Sequence, residues 1–229
     1  MTEPVPSHSP RRLSAAAVLF DLDGTLADTA GDLVAALNRV RADRGLDPVS
    51  IAALRAHASS GARGLLGAGL DLRPDDTGYR ELRDAFLAYY EKGLADTTKL
   101  FDGTESMLAT LEQRAIRWGV VTNKAERFTF PLLAALGLDR RASVIVCGDT
   151  TAHPKPHPAP LIHAADRLSV AAEQCVYVGD DLRDVQAGNA AGMATIVAKY
   201  GYLGETGDCI GWPATGWIES PSELLAWIA

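Results

Sequence analysis

The chain has 229 residues, of which 47% are hydrophobic and 22% charged. That composition belongs to a folded globular protein with room for one ordinary domain and a smaller inserted one. A net charge of −7 and the lack of any Lys/Arg block argue against nucleic acid and anionic membrane as partners, but not against a small anionic substrate.

Residues 1–13, MTEPVPSHSPRRL, are rich in Pro and Ser, carry no apolar signal core, and read as a loose tail. No apolar run approaches the ~18 residues of a membrane-spanning helix, so the cytoplasm is the expected compartment. The three cysteines, Cys147, Cys175 and Cys209, are odd in number and lack CxxC spacing. A disulfide framework or zinc site is therefore not expected. Monomer and homodimer are both compatible with the sequence.

The first structured stretch is AAAVLFDLDGTLADT, Ala15 to Thr29. Its apolar run has the length of a buried strand and stops at Asp21 and Asp23. Gly24 permits a sharp turn, and Thr25 follows with a hydroxyl. Two carboxylates so close repel and call for a cation or a shared proton. A hard cation such as Mg²⁺ would satisfy them.

From Ala30 to Arg44, apolar residues at Leu33, Val34, Leu37 and Val40 predict a helix, ended by Gly45 and Pro48. Ser50 can cap a short helix through Leu54 to Ala58. SSGARGLLGAGL, Ser59 to Leu70, reads as a Gly-rich loop passing into a helical turn. Asp75 or Asp76 can cap a further helix through Tyr79, Leu82, Phe86 and Tyr90, with Gly93 near its end. No strand pattern occurs between Ala27 and Leu94, so this block reads as a helical insertion over a site.

From Phe101 onward strands and helices alternate. Helices are predicted over Gly103–Arg114, Ala125–Leu136, Leu161–Leu168, Val185–Ala191 and Ser220–Trp227. Between them lie strands at Arg117–Asn123, Ser143–Asp149, Cys175–Asp181 and Met193–Ala198. The prolines of TAHPKPHPAP exclude helix and central strand, leaving a rigid loop that carries Lys155. The alternation predicts an α/β fold, a doubly wound parallel sheet of Rossmann type. In such sheets ligands sit at the carboxyl ends of the strands. Asp21, Asp23, Thr122, Asn123, Asp180, Asp181 and Asp184 all fall at such ends, with Lys155 just beyond one. Taken singly, Thr122 reads as a helix-capping hydroxyl and Lys155 as a solvated charge. Their convergence is what points to a site.

The strings DLDGT, VTN, KPHP and GDDLRD, in this order, resemble the four motifs of the haloacid dehalogenase (HAD) phosphatase superfamily. The helical block resembles the C1 cap of that superfamily. The resemblance implies a HAD core over residues 14–26 and 95–229 and a helical cap over residues 27–94. It implies Mg²⁺-dependent hydrolysis of a small phosphorylated metabolite. Asp21 would be the nucleophile and Asp23 the general acid and base. Asp21, the Asp23 backbone carbonyl and Asp180 would hold Mg²⁺. Thr122, Lys155 and backbone N–H groups near Gly24 and Asn123 would bind the phosphoryl group. Asp181 would stand behind these residues, and Asp184 would act through water or pair with the lysine.

Within the superfamily, LADTAGDL, VGDDLRDVQAGNAAGM and AKYGYLG resemble bacterial phosphoglycolate phosphatases. SSGARGLL, KLFDG, WGVVTNKAERF and YGYL resemble the N-acetylmuramic acid 6-phosphate phosphatases. A β-phosphoglucomutase-type transfer would share the motifs, although Thr25 stands where those mutases commonly differ. Both phosphatase substrates carry a carboxylate, and a guanidinium can grip one with two parallel bonds. Arg63, between Gly61 and Gly64, is the expected cap residue for that task, with Arg55 and His57 as competitors.

Overall fold

The computed structural model describes residues 12–204 and 207–229. Most of the predicted tail therefore lies outside the described residues. Leu13 does not hang loose, because its N–H donates to the Trp227 carbonyl and its carbonyl accepts from Ala229 N–H at 3.0 Å.

Strand β1, Ala17–Phe20, is fully buried, as a strand inside a parallel sheet must be. Its side chains alternate between two cores. Val18 and Phe20 join one apolar cluster, and Ala17 and Leu19 join the other. A two-residue strand, β2 (Ala27–Asp28), follows at once. The predicted helix is α1, Ala30–Asp43, with Leu33, Val34, Leu37 and Val40 buried. Its first amides are closed from far away in the chain. Thr29 N–H and Ala30 N–H donate to the Tyr202 hydroxyl at 2.8 and 3.0 Å.

Ser50 caps α2, Ile51–Leu54, accepting from Ala53 N–H. A 3-10 turn over Arg55–Ser60 leads into α3, Gly61–Leu70. The Gly-rich stretch is thus mostly helix, not loop. Two of its glycines give clearance and not flexibility. A side chain at Gly64 would meet the His57 carbonyl at 2.6 Å, and one at Gly69 would meet Leu37 at 2.4 Å. Helix α4, Tyr79–Lys92, starts at Gly78 with no side-chain cap. Asp76, expected to cap it, instead accepts from Arg73 N–H. Helices α1 to α4 share an apolar cluster, joined from later in the chain by the buried Phe128 and Tyr202.

Strand β3, Lys99–Leu100, pairs antiparallel with β2 and closes the helical block at its base. Both strands are only two residues long, too short to show an alternation in the sequence. Then follow α5 (Thr104–Gln113), β4 (Arg117–Val121), α6 (Glu126–Ala135) and β5 (Val144–Val146). They are followed by α7 (Ala159–Leu168), β6 (Cys175–Gly179), α8 (Leu182–Ala190) and β7 (Ala194–Ala198). A sixth sheet strand that the sequence reading missed, β8 (Gly216–Ile218), precedes the short α9, Leu224–Trp227.

The sheet order is β5-β4-β1-β6-β7-β8, and all its pairings are parallel. Counting sheet strands alone, that is the 3-2-1-4-5-6 order of doubly wound folds. The chain reverses its winding beside β1, which puts Asp21 next to the switch point. No helix among the described residues is long and apolar enough to cross a membrane.

Candidate active site

The ends of β1, β4 and β6 converge on Asp21. Lys155 reaches them from the proline-rich loop and is 4% exposed. Its ammonium donates to the Val121 carbonyl at 3.0 Å, and to the Tyr177 hydroxyl and Asp184 Oδ1 at 2.7 Å each. Those bonds engage all three of its protons. Asp21 Oδ1 also lies 2.9 Å from this nitrogen but makes no hydrogen bond. One carboxylate oxygen is therefore buried, close to a cation, and left available.

Burial pushes the Asp21 carboxyl up to about 7, against the pull of Lys155, with Asp184 and Asp23 adding repulsion. Burial also holds Asp180 well above the usual carboxylate range, and Asp21 and Asp184 push it further. Burial alone would lower Lys155, but Asp184 and Asp21 hold it above the ordinary lysine value. The site carries more negative charge than its lysine offsets.

Asp180 is fully buried and accepts from Thr25 Oγ1 at 3.0 Å, Ser59 Oγ at 3.2 Å and Tyr202 N–H at 2.9 Å. Gly24 makes this approach possible. Its φ is +83°, and a Cβ there would lie 2.2 Å from Asp180 Oδ2. Its N–H is engaged by the Ala27 carbonyl at 2.9 Å, so Gly24 shapes the turn instead of offering an amide to a phosphate. The side chain of Asn123 has a task beyond the backbone role expected of this residue. Its side chain accepts from Lys155 N–H and donates to the Lys155 carbonyl, both at 2.9 Å, fixing the loop that delivers the lysine. Thr122 is buried at the cavity wall, and its hydroxyl accepts from Lys124 N–H at 3.1 Å.

Asp181 caps α8. It accepts from Arg183 N–H at 2.9 Å while Asp184 Oδ2 accepts from Asp181 N–H at 3.0 Å, a reciprocal capping box. Asp184 thus holds a helix start with one oxygen and Lys155 with the other. Asp23 faces elsewhere. It accepts from Lys124 Nζ at 2.8 Å and Thr29 Oγ1 at 2.5 Å. Burial pulls the Lys124 ammonium down, but Asp23 and the Tyr90 hydroxyl hold it above its ordinary value.

Carboxylate oxygens of Asp21, Asp180 and Asp184 lie within 4.8 Å of one another. An oxygen-only donor set, with the Asp21 and Asp180 carboxyls raised and one Asp21 oxygen without a hydrogen bond, fits a hard cation such as Mg²⁺. The expected set was Asp21, Asp23 and Asp180. Asp184 joins the cluster, and the carboxylate of Asp23, turned to Lys124 and Thr29, stands outside it. That leaves the backbone carbonyl as the donor expected of Asp23.

Above Asp21 opens a cavity of about 340 Å³. Asp21, Asp23, Thr122, Asn123 and Lys124 line one side, and Ser59–Ala62, Arg83, Phe86, Leu87 and Tyr90 line the other. Arg63 is exposed and is not on this wall. Helix α3 buries Leu65, Leu66 and Gly69, which turns Arg63 outward. Arg55 is committed to Asp28 at 2.8 Å and stacks over Tyr202. The arginines on the cavity are Arg83, Arg127 and Arg183, none of them singled out from the sequence. Lys124 was missed as well, although it directly follows Asn123.

A family model described as haloacid dehalogenase-like hydrolase matches residues 18–198. A phosphoglycolate phosphatase of Xanthomonas campestris pv. campestris is 46% identical over 208 residues, covering 91% of this chain and 94% of the relative. An N-acetylmuramic acid 6-phosphate phosphatase of Pseudomonas aeruginosa is 38% identical over 215 residues, covering 94% and 95%. The crystal structure of a predicted phosphoglycolate phosphatase from Haemophilus somnus superposes with a TM-score of 0.82 at 25% identity, over 93% of this chain and 97% of that one. With its motifs gathered at the carboxyl ends of a 3-2-1-4-5-6 sheet, the chain belongs to the haloacid dehalogenase-like hydrolase family, and within it to the phosphatases.

Proposed function

We propose that this protein hydrolyses a small carboxylated phosphomonoester through a phospho-Asp21 intermediate, with Mg²⁺ as cofactor. The observation that carries the reading is the buried Asp21 oxygen, unbonded and 2.9 Å from Lys155 at the floor of a cavity. In the first half-reaction Asp21 attacks phosphorus, the bond from phosphorus to the ester oxygen breaks, and Asp23 gives that oxygen its proton. In the second, Asp23 takes a proton from water as the water attacks the phospho-aspartate, releasing phosphate and restoring Asp21. Lys155 offsets charge on Asp21 and the phosphoryl oxygens. The Thr122 hydroxyl and Asn123 N–H donate to the same oxygens. Mg²⁺, held by Asp21, Asp180 and the Asp23 carbonyl beside Asp184, would supply charge neutralisation and polarise a phosphoryl oxygen. Residues 27–94 act as the cap over a core formed by residues 14–26 and 95–229, in the cytoplasm.

The first candidate substrate is 2-phosphoglycolate, supported by the 46% identical relative. N-acetylmuramic acid 6-phosphate is the second reading, and the apolar wall of Leu33, Phe86, Leu87 and Phe128 favours it, since a two-carbon acid has almost no apolar surface to cover. The test is release of inorganic phosphate from p-nitrophenyl phosphate, with EDTA and then with excess Mg²⁺. Release that stops with EDTA and returns with Mg²⁺ is expected. Full activity after thorough chelation would overturn the metal assignment. Isomerisation of a sugar phosphate without net phosphate release would instead indicate a phosphomutase.

A further inference from the structure

One wall of the cavity is graded along a single helix. Arg83, Phe86, Leu87 and Tyr90 of α4 all line it. They stand at i, i+3, i+4 and i+7, a single helical stripe. Seven residues at 1.5 Å each put Arg83 and Tyr90 about 10 Å apart along the axis.

Tyr90 is the deep end. It is 2% exposed, and its buried hydroxyl, set beside the Lys124 ammonium, has no acceptor for its own proton. The Lys124 ammonium lies 4.8 Å from the centre of its ring and 2.8 Å from Asp23 Oδ1. Tyr90 therefore stands beside the group assigned to protonate the leaving oxygen. A buried hydroxyl left unpaired is unfavourable, so a ligand atom that pairs with it gains from doing so. The middle of the stripe is apolar, with Phe128 on the facing wall. The outer end is Arg83, and Arg127 lies on the wall supplied by α6 with its guanidinium 4.4 Å from the Phe128 ring centre. Arg83 pairs with Asp84 at 3.4 Å, and both side chains are exposed, so the pair binds it weakly.

We propose that this stripe measures the leaving group. Tyr90 reads an oxygen near the ester, the apolar middle covers a ring, and Arg83 with Arg127 grips an anionic group at the far end. The inference rests on the hydrolase reading above and narrows its substrate. It selects a phosphorylated sugar acid with a ring between phosphate and carboxylate. A two-carbon acid carries its carboxylate on the ester carbon itself and would leave the apolar middle of the stripe uncovered.

The experiment compares kcat/KM for N-acetylmuramic acid 6-phosphate and 2-phosphoglycolate in the full chain with Mg²⁺. It uses wild type, Arg83→Gln, Arg83→Lys and the Arg83→Gln/Arg127→Gln double variant, with a melting temperature for each. Wild type should prefer the sugar acid. Arg83→Gln should lower that preference about tenfold or more, through KM, as expected on losing one charge-assisted bond. Arg83→Lys should recover part of it. A wild-type preference for 2-phosphoglycolate, or a double variant whose preference stays within twofold of wild type, would overturn the proposal. A wild-type protein with no phosphatase activity even on p-nitrophenyl phosphate would overturn the hydrolase reading itself, so the two failures are told apart.

Discussion

Replacing Asp21 with Asn tests the electrostatics of the site in one step. Burial lifts this carboxyl from its ordinary 3.8 to about 7 despite Lys155, with Asp184 and Asp23 adding repulsion. At 1.36 kcal/mol per pH unit, keeping it ionised in the fold at pH 8 costs about 4 kcal/mol. The sign is set by proton binding. Between about pH 4 and pH 7 the folded chain keeps a proton that the unfolded chain has lost, so stability from this group falls as pH rises through that window. Below the window there is no penalty, and above it the penalty is complete. Asn has no charge to bury. Metal-free Asp21→Asn should therefore be more stable than wild type by about 4 kcal/mol at pH 8, or about 8–16 °C in melting temperature for a chain this size. Near pH 4 the two proteins should melt together. Saturating Mg²⁺ should reverse the order at pH 8, because wild type gains binding energy and the variant lacks a ligand. The assay is thermal unfolding by circular dichroism in chelated and Mg²⁺ buffers, with phosphate release in parallel. A metal-free variant no more stable than wild type at pH 8 would refute the idea that the carboxylate cluster is under strain without a cation. Turnover above about a thousandth of wild type would refute the covalent role of Asp21.

Two further substitutions probe the supports of the site. Lys155→Met should abolish turnover and cost about 3–5 kcal/mol in urea unfolding, because it leaves Asp184 charged and buried with one partner fewer; a loss under about 1 kcal/mol would mean the pair is dispensable. Gly24→Ala should cost about 1–3 kcal/mol and weaken Mg²⁺ binding measured by calorimetry, since φ +83° strains any side chain and the Cβ would displace Asp180; unchanged Mg²⁺ affinity would show that Asp180 does not need its present position.

The sheet and the core residues of the site were legible because each strand is an apolar run that stops at a polar residue. Asp21 and Asp180 stand out by that change of character, and Thr122 only through its convergence with them at the strand ends. The prolines around Lys155 marked a rigid loop, and the lysine itself gained meaning only from the resemblance and from its place beside the other strand ends. The substrate side was not legible, for a physical reason. Along α4, Phe86 and Tyr90 have the spacing of an ordinary core stripe, and nothing in that spacing reveals that part of the stripe faces a cavity. The Gly-rich segment misled in the opposite sense. Gly64 and Gly69 serve close packing of one helix against its neighbours, while composition alone suggested a loop and drew attention to Arg63. Strand β8 escaped because three residues, Gly216, Trp217 and Ile218, cannot establish an alternation.

Tyr202 decides the order in which the molecule can be finished. Its hydroxyl closes amides 173 and 172 residues earlier in the chain. Asp23 waits 101 residues for Lys124, and Thr25 waits 155 for Asp180. As the chain leaves the ribosome, Asp23 is made well before the lysine that pairs with it, and Thr25 well before the carboxylate it donates to. Contacts of such long separation form late, after the local helices of the insertion have found each other. A chain stopped before Tyr202 leaves the start of α1 open and Asp180 short of a donor, so the cap helix and the site carboxylate are completed by the same residue.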